Sequence, residues 1–387
     1  MPTQSALRLQ SKLPNVGTTI FTVMSKLAAD VGALNLSQGF PSFDCSPELV
    51  ELVNQYMKKG FNQYAPMSGV PALRESLAQK TYDHYGLAYH PEQEVTIVSG
   101  ATEAIYAAVT AVVRPGDEVL VFEPAYDSYV PAIELSGGVP VYITLTPANG
   151  YQIDWEEVRQ KVTDKTRLIM INTPHNPIGK VLTREDLDQL EALVRGTDIL
   201  LVSDEVYEHI VFDGQRHQSL LSHPVLQERT FICGSFGKTY HVTGWKIGYC
   251  LAPKELSAEF RKIHQFVTFS TMTPMQYALA DFLKKPEYYL ELSDFYQRKR
   301  DLFLEAIKDS RFQFTPSQGT FFQTVYYGDM TQEYDYDLAV RWTKEIGVAS
   351  IPVSVFYNQK NDYKVLRFCF AKDDETLKRA GELLSRL

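Results

Sequence analysis

The chain is poor in the features that mark a metal cage, a membrane protein or a nucleic-acid binder. It has only four cysteines, Cys45, Cys233, Cys250 and Cys369, and no CxxC pair. Structural zinc sites need closely spaced thiolates, so no metal is expected, and each cysteine reads as a reduced, half-buried residue of a cytoplasmic protein. A basic excess is also missing. Lys and Arg number 38 against 47 Asp and Glu, a net charge of −9. That is the wrong sign for neutralising a phosphate backbone, so no nucleic-acid partner is expected, although a local basic pocket for a small anion is still allowed. Long apolar runs are absent too. The longest, Ala104 to Val113, is bounded by Glu103 and Arg114. It is about half of what a membrane span needs, and no membrane partner is expected. The opening MPTQSALRLQSKLP has no apolar signal core, and only the first dozen residues are expected to be loose.

What is present is ordinary globular composition, 44% hydrophobic and 22% charged over 387 residues, enough for one large domain and a smaller one. Between about residues 90 and 255 short apolar runs alternate with helical patterns. Strands are expected at Glu94–Gly100, Glu118–Phe122, Val139–Thr144, Arg167–Asn172, Ile199–Ser203, Thr230–Ser235 and Lys246–Leu251. Helices are expected at Ala101–Val113 and Arg184–Arg195, and before this region at Ser46–Lys59 and Val70–Tyr85. Such alternation implies an α/β fold with a mostly parallel seven-stranded sheet covered by helices. Beyond it come helical stretches at Pro274–Leu283 and Tyr288–Lys308, strands at Thr320–Tyr326 and Val365–Phe370, and a last helix from Asp374. This different rhythm predicts a second, α+β domain. The expected division is 1–45 joining the small domain, 46–285 as the large domain and 286–387 as the small one.

Ligands of such sheets bind beyond the carboxyl ends of the strands, and several suggestive residues fall there. In Ser235-Phe-Gly-Lys-Thr-Tyr-His-Val-Thr-Gly-Trp-Lys246, a lysine in a small-residue turn can meet a carbonyl while partly desolvated. Desolvation and nearby positive charge free its neutral amine, and Lys246 offers a second cation for a phosphate. Two solvated surface lysines would explain the same letters. A P-loop would not, because Ile232 stands where that loop needs glycine. Asp204, in Ser203-Asp-Glu-Val-Tyr207, could pair with a protonated ring nitrogen or simply cap a helix. Tyr207 and Asn176, in Asn172-Thr-Pro-His-Asn-Pro-Ile-Gly179, could hold a ring oxygen, although Asn and Pro are also plain turn residues. Ser99-Gly-Ala-Thr102 opens a helix after a strand and would present free N–H groups to a phosphate. Tyr126 could stack on a planar ring or fill a core. Arg367, between apolar strand residues, must face solvent or clamp an anion such as a carboxylate.

The series Asn-x-Pro-His-Asn-Pro-x-Gly, Ser-Asp-Glu-Val-Tyr, Ser-x-Gly-Lys-Thr…Gly-Trp-Lys and the late arginine resembles that of class I/II aminotransferases, which are fold type I pyridoxal-phosphate enzymes. It runs from Leu36-Ser-Gln-Gly-Phe-Pro41 to the last strand. With Ser350-Ile-Pro-Val-Ser-Val-Phe356, it looks like the subgroup of methionine aminotransferases and kynurenine–oxoglutarate (glutamine) transaminases. The resemblance implies pyridoxal 5'-phosphate as cofactor, held as a Schiff base by Lys238, which also shuttles the proton. It implies Asp204 at the ring nitrogen, Asn176 and Tyr207 at the ring oxygen, and Tyr126 stacked on the ring. The phosphate would lie against Ala101, Thr102, Ser235 and Lys246. Tyr64 would reach the neighbouring subunit's phosphate, which implies a homodimer with a shared site. Arg367 would clamp the substrate carboxylate with the Gly39 N–H and Asn176. The implied partners are an amino-acid donor and a 2-oxo-acid acceptor, in a ping-pong reaction.

The chain departs from kynurenine transaminases at Thr102, where they often have tyrosine, and at Phe21, where they have a substrate-pocket tryptophan. Its Phe269-Ser-Thr-Met-Thr273 loop lacks their histidine, and Pro352-Val353 replaces the Pro-Gly of most relatives. No second arginine that would read an acidic side chain is evident. A methionine-like or aromatic substrate is expected, with β-lyase activity on cysteine conjugates or kynurenine transamination as the alternative.

Overall fold

The structure is a computed structural model that describes residues 10–387. Strand β1 (Leu34–Asn35) is short. The next seven form one sheet: β2 (Val95–Val98), β3 (Glu118–Glu123), β4 (Val139–Thr144), β5 (Thr166–Asn172), β6 (Leu200–Asp204), β7 (Thr230–Ser235) and β8 (Gly248–Leu251). Their order is β2-β8-β7-β6-β5-β3-β4, and only β8 runs antiparallel to its neighbours. Central strands such as β3 and β5 are apolar almost throughout because both faces are covered. Alternation sorts their side chains into two cores. Val119, Val121, Leu168 and Met170 face helices Gly100–Val112 and Lys254–Val267, whereas Leu120, Phe122, Ile169 and Ile171 join the core that contains Leu187, Leu190 and Leu279.

Local signals set the helices. Thr183 closes a capping box with Asp186 at the start of Arg184–Val194, and prolines open Pro47–Lys58 and Pro71–Tyr85. Strands β9 (Phe322–Tyr326), β10 (Val348–Ala349), β11 (Ile351–Pro352) and β12 (Val365–Cys369) follow later. An antiparallel sheet has the order β11-β12-β9, while β10 pairs in parallel with β1. Helix Ile20–Val31 packs against helix Asp335–Glu345 near that pair.

Element edges differ from the sequence expectation where backbone conformation leaves the regular range. The run expected at Glu94–Gly100 pairs only over Val95–Val98, and Gly100 turns out of the ladder with φ +78°. The last sheet strand begins at Gly248 rather than Lys246, because Lys246 is left-handed with φ +54°. The stretch Tyr288–Lys308 is two helices, Glu287–Leu290 and Leu292–Ile307. Residues 1–9 of the expected loose N-terminus lie outside the described residues. Among the described residues no helix is long and apolar enough to cross a membrane.

Candidate active site

Three parallel strand ends deliver the central groups. At the end of β5, Asn172 Oδ1 accepts the Asn176 N–H (2.7 Å) and its Nδ2 donates to the Asp204 carbonyl (2.9 Å). One side chain thus ties the Asn172–Gly179 turn to the end of β6. At that end Asp204 is buried, its Oδ2 accepting from Tyr129 Oη (2.7 Å) and its Oδ1 from the Val206 N–H (3.3 Å). Burial pushes its carboxyl up to about 6 against these hydrogen bonds and the charge of Lys238. Beyond β7, Ser235 caps the one-turn helix Phe236–Thr239 by accepting the Gly237 N–H, and that turn carries Lys238. Lys238 Nζ donates to the Gly39 carbonyl (2.8 Å) and lies 5.1 Å from the centre of the Phe321 ring and 5.6 Å from that of Tyr207. Burial lowers its amine to about 8, with the positive charges of Arg367 and Lys246 acting in the same direction.

To one side lies helix Gly100–Val112, whose Ser99 makes no side-chain cap. A Cβ on Gly100 would stand 3.1 Å from Lys246 Nζ. Glycine's missing side chain therefore leaves an open helix N-terminus beside an ammonium, an arrangement suited to an anion. Thr102 in this turn lines the same cavity as Tyr126, whose ring meets that of Tyr129 edge-on at 5.7 Å. On the other side Arg367 is fully buried in β12. Its Nη1 donates to Asn176 Oδ1 (2.8 Å) and its Nη2 to the Ser37 carbonyl (3.1 Å), and its guanidinium lies 3.9 Å from the Phe322 ring centre. Among the described residues its Nε has no partner. Burial lowers its pKa to about 10, which leaves it cationic at neutral pH. The solvent-facing reading of Arg367 is therefore excluded.

A cavity of about 290 Å³ joins these groups. Twelve of the thirteen residues singled out in the sequence line it: Phe21, Gly39, Ala101, Thr102, Tyr126, Asn176, Asp204, Tyr207, Ser235, Lys238, Lys246 and Arg367. Tyr64 does not; it is 82% exposed and touches Phe269 edge-on at 5.3 Å. Gly39 meets Lys238 through its carbonyl, whereas its N–H was the expected donor. Sequence reasoning missed Tyr129, the hydrogen-bond donor to Asp204, and the rings of Phe322 and Phe356 around Arg367. A larger crevice of about 770 Å³, lined by Trp155, His175 and Lys180, reaches Asn172 at the end of β5 but not Lys238, Asp204 or Arg367, so volume alone does not locate the chemistry.

A profile of the family "Aminotransferase class I and II" matches residues 31–384. The chain belongs to this family. The aminotransferase is 50% identical over 386 residues to a methionine aminotransferase of Escherichia coli, covering 100% of both chains. It is 35% identical to a kynurenine–oxoglutarate transaminase of Dictyostelium discoideum, over 96% of this chain and 94% of that one. Among solved structures, one from Escherichia coli described as having a methionine aminotransferase function superposes with a TM-score of 0.96 at 50% identity, covering 98% and 100% of the two chains. The N-succinyldiaminopimelate aminotransferase of Mycobacterium tuberculosis gives 0.94 at 36% identity, with the same coverage. The aminotransferase thus has the fold type I architecture, a large mostly parallel sheet flanked by helices with a smaller antiparallel sheet.

Proposed function

We propose that this aminotransferase uses pyridoxal 5'-phosphate to move the amino group of a neutral, methionine-like amino acid to a 2-oxo acid. The observation that carries the reading is a desolvated lysine amine lying between a buried carboxylate and a buried arginine in one cavity. The residues suit the cofactor. The open helix N-terminus beside Lys246 matches a phosphate, the buried Asp204 lacks a cation other than the nearby lysine, and the unpartnered Arg367 Nε is free to meet an anion.

When bound, the cofactor supplies an electron sink for the pair released at the substrate Cα. Lys238 Nζ would hold it covalently. Its neutral amine would be the base that takes the substrate Cα proton and the group that carries it. An amine near 8 keeps a useful neutral fraction at physiological pH. Asp204 would favour a protonated ring nitrogen, since a cation there would compensate the desolvation that raises the carboxyl. Tyr207, held protonated by burial, and Asn176 would donate to the ring oxygen. Tyr126 would lie against the ring. Ala101, Thr102, Ser235 and Lys246 receive the phosphate. Arg367 orients the substrate carboxylate, with Gly39 and Asn176 beside it.

The methionine-like preference is supported by the 50% identity to a methionine aminotransferase and by the apolar Phe21, Phe322 and Phe356 around Arg367. The division at residues 45 and 285 is part of this reading, supported by the β1–β10 pairing that ties the N-terminal segment to the C-terminal part. So is a homodimer in which Tyr64 serves the neighbouring site. Its support is the exposed Tyr64 touching the exposed Phe269, in a stretch that also exposes Phe266 and Met272. The test is a half-reaction screen of the common amino acids against the cofactor-loaded protein, following loss of visible absorbance. Methionine and aromatic residues should react fastest; a preference for aspartate or glutamate would refute the side-chain assignment. Pyruvate and ammonia formed from cysteine conjugates without an added oxo acid would instead reveal β-lyase activity.

A further inference from the structure

Beneath the anion-accepting end of the cavity runs a buried polar chain that none of these steps uses. Glu103 sits in the first turn of helix Gly100–Val112 with its side chain 7% exposed. Its Oε2 accepts the Ser99 N–H, and its Oε1 faces Nδ1 of His264. His264, on helix Lys254–Val267, is fully buried, and its Nε2 faces the Met67 carbonyl at 2.9 Å. Met67 belongs to the loop that presents Tyr64. That loop is also held by Ser270 Oγ donating to the Ala65 carbonyl and Thr273 Oγ1 donating to the Gln63 carbonyl.

Counting protons fixes the charge of the chain. A carbonyl only accepts, so Nε2 carries a hydrogen; a carboxylate facing Nδ1 requires a second proton between the two. His264 and Glu103 together are therefore neutral, whether as an imidazolium–carboxylate pair or as an imidazole and a carboxylic acid. Their place makes this matter. A lone carboxylate in the first turn stabilises a helix, but it repels a phosphate bound at the same terminus, and buried surroundings screen that repulsion poorly.

We infer that His264 and Glu103 form a positioning pair for the phosphate end of the site: they cancel the carboxylate's charge under the helix N-terminus and tether that terminus to the loop bearing Tyr64. The inference rests on the reading that a cofactor phosphate binds at Ala101 and Thr102. It is tested on cofactor-free protein by titrating pyridoxal 5'-phosphate and phosphate-free pyridoxal into wild type, His264→Gln and the double variant Glu103→Gln/His264→Gln.

His264→Gln should weaken binding of the phosphorylated ligand on the order of tenfold or more while changing pyridoxal binding much less. The double variant should recover part of the loss, because the unneutralised carboxylate is gone. Unchanged binding in His264→Gln, an equal loss for both ligands, or a double variant no better than the single one would overturn the inference. If His264→Gln fails to fold, the double variant must still fold and bind; its failure too would overturn the charge argument. A wild type that prefers neither ligand would instead overturn the reading of the phosphate end itself, and the pair's role with it.

Discussion

Asp204 allows an electrostatic test that needs neither substrate nor cofactor. Burial raises its carboxyl from 3.8 to about 6 in the folded, cofactor-free protein. An acid whose folded pKa is raised contributes stability while protonated and loses it as pH climbs from the unfolded to the folded value. Between about pH 4.5 and about pH 7.5 that loss comes to roughly 2 kcal/mol. Asp204→Asn cannot ionise and should escape it. The asparagine oxygen can still accept from Tyr129 Oη, but its amide opposes the Val206 N–H, at roughly 1 kcal/mol. By pH 4.5 wild type has already lost about 1 kcal/mol of that stability, so the variant should be about as stable as wild type at the lower pH and roughly 2 kcal/mol more stable at the higher one, while binding the cofactor less productively. Denaturant unfolding of both cofactor-free proteins at the two pH values and one protein concentration reads the difference directly. A wild-type-minus-variant difference that stays the same at both pH values would refute the claim that Asp204 is a buried ionised carboxylate awaiting a cation.

The remaining substitutions address single groups. Lys238→Ala should abolish the visible absorbance of the cofactor-loaded protein and lower the transamination rate by at least about a thousandfold, as loss of both the covalent anchor and the proton carrier demands; stopped-flow half-reactions with methionine would show it. Arg367→Ala should raise KM for methionine by roughly 10- to 150-fold, the worth of a charge-assisted bidentate contact at about 1.5–3 kcal/mol, and an unchanged KM would remove Arg367 from the substrate clamp. Tyr64→Phe should loosen cofactor binding by about tenfold in the dimer and not in dissociated subunits, as followed by titration across a dilution series.

How much of this was readable in the sequence depended on how local the signal was. Lys238, Asp204 and Asn176 are presented by strand-then-turn segments only a few residues long, and the turn chemistry is written in those same residues. Tyr129 escaped notice because its partner is 75 residues away. What brings them together is the strand order β6-β5-β3, which sets the loop after β3 near the end of β6, and no spacing in the chain encodes that. Phe322 and Phe356 were hidden for the same reason, since they approach Arg367 from β9 and from the segment after β11. The edges missed at Gly100 and Lys246 have a different cause. Both residues adopt positive φ, the glycine readily and the lysine against its steric preference, and no local pattern marks a lysine for that conformation.

The distribution of charge joins the site to its chemistry. The protein as a whole carries −9, yet three of the charged groups lining the cavity are cations, Lys238, Lys246 and Arg367, against one acid, Asp204. Two of them lie toward opposite ends, Lys246 beside the helix N-terminus and Arg367 among the aromatic rings, while Lys238 stands between with its amine depressed partly by both. An anion bound at either end would therefore raise the lysine amine by removing one source of that depression, and a ligand with a single anionic group would leave the other cation uncompensated. A phosphate at one end and a carboxylate at the other satisfy both. The pattern thus favours a phosphorylated cofactor together with a substrate whose only anionic group is its carboxylate, because no further cation among the lining residues is left for an acidic side chain.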